Sequence, residues 1–144
     1  MIEFDRVDKI FDFAISREED AHKFYMDLIK RTEDPELIKI FKELAEEELC
    51  HKGRLRSIKE GKEELFRERE MTLELDDCCV QVEPGLIFNR KDIIDLVLKK
   101  EEESVRLYKT LAATLDWGGL RETFLLLAQE ESKHKLRFHN ELRA

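Results

Sequence analysis

Two prolines and five glycines in 144 residues leave the chain few obligatory breaks, which excludes a loop-rich, collagen-like or low-complexity architecture. Three cysteines, none of them in a C-x-x-C pair, rule out a four-thiolate iron or zinc site and fit a reducing compartment. No apolar run approaches the roughly 18 residues that a membrane span requires. The opening Met1-Ile2-Glu3-Phe4-Asp5 has neither the basic nor the apolar region of a signal peptide, so the expectation is a cytoplasmic protein with no membrane partner. Positive charge is also short, with 26 Lys+Arg against 34 Asp+Glu for a net charge of −8. The basic residues are interleaved with acidic ones, and without a basic stripe nucleic acid is not an expected partner. What remains is a chain that is 42% charged and 42% hydrophobic, the balance of an amphipathic helical protein. Its length corresponds to one domain able to bury about 70% of its unfolded surface.

The apolar residues recur at helical spacing. Leu37, Phe41, Leu44, Leu55 and Ile58 form one seam, and the gaps in it are filled by Glu48 and His51. A carboxylate and an imidazole thus stand where a helix normally buries leucine, and burying a charge costs several kcal/mol unless something pairs with it. A metal ion is the simplest partner. The second half of the chain repeats the pattern, since Phe124 through His134 aligns with Phe41 through His51 at a constant offset of 83, which brings Glu131 onto Glu48 and His134 onto His51.

The segments around these stretches read as four helices. The first is expected from Asp5, as N-cap, to Thr32, with seam Phe4, Val7, Phe11, Ala14, Glu18, Ala21, Tyr25 and Leu28. Asp34 as N-cap and Pro35 at the first helical position start the second, which Gly61 ends. Residues 62–88 leave the seam and read as a long crossover, with a short helix over Glu64–Glu70. Asn89, with Asp92 three later, starts the third helix, whose seam is Ile94, Val97, Glu101, Ser104, Tyr108, Leu111 and Leu115. After the turn Asp116-Trp117-Gly118-Gly119 the fourth runs to about Leu142 along Leu120, Phe124, Leu127, Glu131, His134 and Phe138. The expected fold is all-α: a single-domain four-helix bundle made of hairpin 5–60, crossover 61–88 and hairpin 89–143.

Each hairpin supplies one isolated Glu, seven before a Tyr, and one Glu-x-x-His. Seven residues is about two helical turns, so Tyr25 falls beneath Glu18 and Tyr108 beneath Glu101, within hydrogen-bonding reach of each carboxylate. Four carboxylates and two imidazoles suit two divalent iron ions, with manganese or zinc as alternatives, and their four negative charges neutralise two such cations. Glu47 and Glu130, one turn before the histidines, are the competing register, while Glu19 and Glu102 point about 100° away into solvent. His22 sits on the flank of its seam, with Val105 as counterpart, and reads as an interfacial histidine. His139 reads as exposed, Cys50 as a small buried thiol, and Cys78-Cys79 as loop thiols.

At these residues the chain resembles the ferritin-like superfamily and, within it, the rubrerythrin-type diiron proteins, over roughly Ala14 to Lys52 and Val97 to Lys135. The resemblance implies that Glu18 and Glu101 are terminal ligands, that Glu48 and Glu131 bridge two irons, and that His51 and His134 bind one iron each. It implies a non-haem diiron oxidoreductase acting on peroxide or dioxygen, with a ferroxidase, an iron store or a non-catalytic metal-binding bundle as the alternative. Two departures matter. Rubrerythrins commonly place a further Glu three residues after the third-helix ligand, where this chain has Ser104, and that set is closer to a bacterioferritin ferroxidase centre. Full-length rubrerythrins also carry a rubredoxin domain with C-x-x-C pairs, absent here, so electrons are expected from a separate donor such as a rubredoxin. A homodimer is the expected assembly, and the crossover is long enough for two copies to exchange hairpins.

Overall fold

The computed structural model describes residues 1–75 and 89–142. The chain divides into two compact units, 1–82 and 83–144, each built on a pair of antiparallel helices. Cys78 and Cys79 lie outside the described residues, as does most of the expected crossover beyond Leu75. No helix among the described residues is long and apolar enough to cross a membrane.

In the first unit, α1 spans Val7–Ile29 and α2 spans Pro35–Gly61. Asp34 caps α2 as its sequence suggests: its Oδ1 accepts from the backbone N–H of Glu36 at 3.0 Å and of Leu37 at 3.4 Å, with Pro35 at the first turn. The interface is the expected seam, with Val7, Phe11, Ala14, Ala21, Tyr25 and Leu28 of α1 buried alongside Leu37, Phe41, Leu44 and Leu55 of α2. Burying a side chain of this size stabilises by roughly 1.5–3 kcal/mol, so this seam rather than helix propensity fixes the hairpin. At its margins Lys52 Nζ meets Glu19 at 2.9 Å and Lys59 bonds Asp12. Such surface pairs contribute little beyond register.

The start of α1 differs from the expectation. Asp5 is not an N-cap; it lies within a strand, β1 (Ile2–Arg6), and the cap position falls to Arg6, whose side chain makes no capping bond. Arg6 instead donates from Nε to Asp8 Oδ1 at 2.9 Å, placing a carboxylate in the first turn where the helix dipole favours it. The bond to Arg6 holds the Asp8 carboxyl below its ordinary value. A short helix, α3 (Glu63–Glu68), falls close to its expected position, and Phe66 from it packs on Phe11 with ring centroids 4.8 Å apart. Strand β2 (Glu70–Leu75) then pairs antiparallel with β1, Ile2 opposite Leu75 and Phe4 opposite Leu73, with a bulge between Phe4 and Arg6. This two-stranded ribbon is an addition to an otherwise helical chain.

In the second unit, α4 spans Arg90–Thr114 and α5 spans Leu120–Arg137, followed by a π-helical turn over Phe138–Leu142. Asn89 Oδ1 accepts from the Asp92 N–H at 2.9 Å, the expected cap. Gly118 and Gly119 take φ of 59° and 79°, left-handed values open to glycine at little cost, and so turn the chain directly into α5. Ile94, Val97, Leu111, Leu115, Leu120, Phe124, Leu127 and Phe138 form its buried seam.

Candidate metal centre

The seams of both hairpins carry charge into the interior. In the first unit Glu18 from α1 and Glu48 and His51 from α2 are 3%, 0% and 3% exposed. His51 Nδ1 stands 3.7 Å from Glu18 Oε2 and 3.7 Å from Glu48 Oε1. In the second unit Glu101 from α4 and Glu131 and His134 from α5 are buried in the same way. His134 Nδ1 lies 3.6 Å from Glu101 Oε2 and 3.8 Å from Glu131 Oε2. The 83-residue repeat is thus a repeat in space within each hairpin.

Each trio offers two carboxylate oxygens and one imidazole nitrogen, all within 4.8 Å of one another. Metal–donor bonds of about 2.0–2.2 Å set two ligands of one ion about 3–4 Å apart, so the 3.6–3.8 Å separations suit donors sharing a cation. Two carboxylates against one divalent ion also balance in charge. Without a cation the arrangement is electrostatically uncomfortable, and Glu18 records it. Burial first, and then the nearby Glu48 carboxylate, push its carboxyl up to about 7, with His51 opposing the shift.

The competing register does not hold. Glu47 is exposed and Glu130 half-buried, whereas Glu48 and Glu131 are fully enclosed; Glu19 and Glu102 face solvent. Tyr25 and Tyr108 are buried two turns along from Glu18 and Glu101, where they stack on Phe41 and Phe124 with centroids 5.8 Å and 6.1 Å apart. His22 is interfacial, its Nδ1 donating to the Ala45 carbonyl across the hairpin at 3.2 Å, and His139 is exposed. Cys50 is exposed, not buried as expected, because two residues along a helix from the enclosed Glu48 is about 200° of rotation, onto the outer face.

One residue at the second trio had no signal in the seam. Lys100 is 6% exposed, with its Nζ 3.6 Å from Glu101 Oε1 and 3.9 Å from Glu131 Oε2. It lies about 100° off the seam and beside the exposed Lys99, so periodicity alone assigns it to a solvated flank.

Comparison with known proteins agrees with this geometry. The Rubrerythrin family model matches residues 9–86 and 92–144, a longer match than the two helical hairpins alone. The structure is similar to that of Hypothetical Protein Pfu-1136390-001 from Pyrococcus furiosus, with a TM-score of 0.72 and 24% sequence identity over 95% of this chain and 88% of that one. No curated protein matches the sequence significantly. The all-α, ferritin-like class expected from the sequence is the fold observed, and with nearly its whole length matched the chain belongs to the rubrerythrin family.

Proposed function

We propose that this protein is a non-haem diiron oxidoreductase that reduces peroxide or dioxygen and is re-reduced by an external electron donor such as a rubredoxin. The observation that carries the reading is the pair of buried Glu/Glu-x-x-His trios, which repeat the same residue types at the same separations in two hairpins. Glu18 and Glu101 would serve as terminal ligands, Glu48 and Glu131 as the carboxylates the ions share, and His51 and His134 as one nitrogen ligand for each ion. Bound iron supplies the Fe2+/Fe3+ couple, two ions together providing the two electrons that peroxide reduction consumes.

The chain's own contribution is a rigid, enclosed donor set. The four carboxylates and two imidazoles are enclosed within packed helix seams, in which the Tyr25–Phe41 and Tyr108–Phe124 stacks fill the core about two turns along from Glu18 and Glu101. Mixing ferrous protein with peroxide in a stopped-flow instrument tests the reading. Ferric absorbance should rise at about two irons per chain and vanish when a reductant is added. Bound iron that peroxide leaves ferrous would overturn it.

A second reading, a ferroxidase of the bacterioferritin kind, is favoured by Ser104. It stands where rubrerythrins place their additional Glu, and its Oγ donates to the Lys100 carbonyl at 3.3 Å. Oxidation of ferrous iron by dioxygen, with ferric product leaving the site and no acceleration by peroxide, distinguishes that activity.

A further inference from the structure

The inner face of α2 carries Glu48 and His51, and its outer face has a regularity of its own. Lys42, Glu46, Leu49, Gly53, Arg56 and Glu60 recur at alternating spacings of four and three, and all six are exposed. That spacing sets them in one stripe about 27 Å long, the kind of seam along which two helices pack at a shallow angle. Leu49 is 43% exposed on it. Lys42 and Glu46, and likewise Arg56 and Glu60, stand one turn apart and could pair along the helix, yet none of the four forms an ion pair among the described residues.

The stripe is its own complement. Its members are equidistant from residue 51, Lys42 and Glu60 by nine positions, Glu46 and Arg56 by five, Leu49 and Gly53 by two. In an antiparallel pair of identical helices crossing at residue 51, each position meets the one equally far beyond the crossing point, because a two-fold axis passes there. Lys42 then meets the partner's Glu60, Glu46 the partner's Arg56, and Leu49 the partner's Gly53. Other alignments are penalised. Crossing at residue 49 opposes Lys42 to Arg56, crossing at residue 53 opposes Glu46 to Glu60, and a parallel pair sets every charge against itself. Gly53 fits the same picture: glycine inside a helix costs stability relative to alanine, although a Cβ there would meet nothing within 4 Å in the chain itself. A leucine arriving from outside finds room at that point.

We propose that two copies of this chain associate through antiparallel contact of α2 with α2 along the stripe from Lys42 to Glu60. The contact lies on the side of the helix opposite the enclosed Glu48 and His51, so it forms whether or not those residues hold metal. One pair of helices touching over this length gives an interface at the small end of specific ones. Four of its six contacts are ionic, so association falls in the micromolar range and weakens with salt.

Sedimentation velocity of the full chain across micromolar concentrations, at low and high salt, tests this. Wild type should dimerise, and salt should weaken the dimer about tenfold or more. Glu46→Arg and Arg56→Glu should each weaken it about tenfold or more, since the two-fold axis makes one substitution count twice. The double reversal should restore association to within about threefold of wild type, and Leu49→Glu should abolish it. In a chain carrying Cys78→Ser and Cys79→Ser, Cys50 remains one residue from the crossing point; a short bis-maleimide should link two copies through it, and should do so far less with Glu46→Arg added. Circular dichroism and metal content should stay as in wild type for all these exposed positions, which separates loss of docking from loss of fold. A chain that is monomeric throughout, a dimer indifferent to the single reversals, or a double reversal that fails to restore association overturns the proposal. So does a dimer lost instead in Leu136→Glu, which would place the contact on the exposed leucines of α5.

Discussion

Glu18 on α1 and His51 on α2 hold their facing atoms 3.7 Å apart, and Glu101 and His134 repeat the pair at 3.6 Å. A ligand removed from one hairpin should therefore leave the other hairpin's trio assembled. His51→Ala and His134→Ala are each expected to lower metal content from about two equivalents per chain to about one, and the double variant to abolish it. Elemental analysis of purified, folded variants checks this, with circular dichroism confirming that the helices persist.

Metal should stabilise the fold. A ligand that binds only the native state raises stability by about 3–4 kcal/mol at a free concentration of 100–1,000 times its dissociation constant, and a chelator should reverse the gain. Thermal unfolding with and without Mn2+ measures it. Glu48→Gln should lose most of the increment, since it removes a buried ligand charge while preserving volume.

The metal-free protein should lose stability as pH rises from about 4.5 to about 7. Glu18 takes its proton more readily folded than unfolded, with its folded value raised to about 7 from 4.5. The native state therefore binds more protons than the unfolded chain in that window, and the slope of stability against pH is negative. The effect is of the order of a few kcal/mol, and denaturant titrations at several pH values should find it flattened in Glu18→Gln. Mn2+ binding should show the complementary trend, weakening below about pH 7 as protons compete for the carboxylate.

Asp34→Ala should cost about 1 kcal/mol by leaving the Glu36 and Leu37 N–H groups without their cap. It should leave metal stoichiometry unchanged, because the cap lies about four helical turns before Glu48. Chemical denaturation beside elemental analysis separates the two effects.

These relationships were unequally visible in the amino-acid order. Glu48 was separable from Glu47 because local periodicity decides which side of a helix meets the core, and Asp34 and Asn89 declared the starts of their helices through chemistry confined to three or four residues. Asp5 misled because Phe4 and Val7 fit a helical seam, while the strand that captures residues 2–6 has its partner at Glu70–Leu75, a pairing that no nearby residue announces. Lys100 was hidden for a related reason. Whether a lysine beside a buried glutamate reaches solvent or turns inward depends on what the neighbouring helix presents to it, here Glu131 of α5.

The β1–β2 ribbon makes the first hairpin a closed circuit, because the chain leaves it beside the residues with which it began. A two-stranded ribbon is only marginally stable by itself, so this clasp can open at lower free energy than the helices it joins. Opening would free residues 70–75 from β1 while α1 and α2, with Glu18, Glu48 and His51, stayed folded.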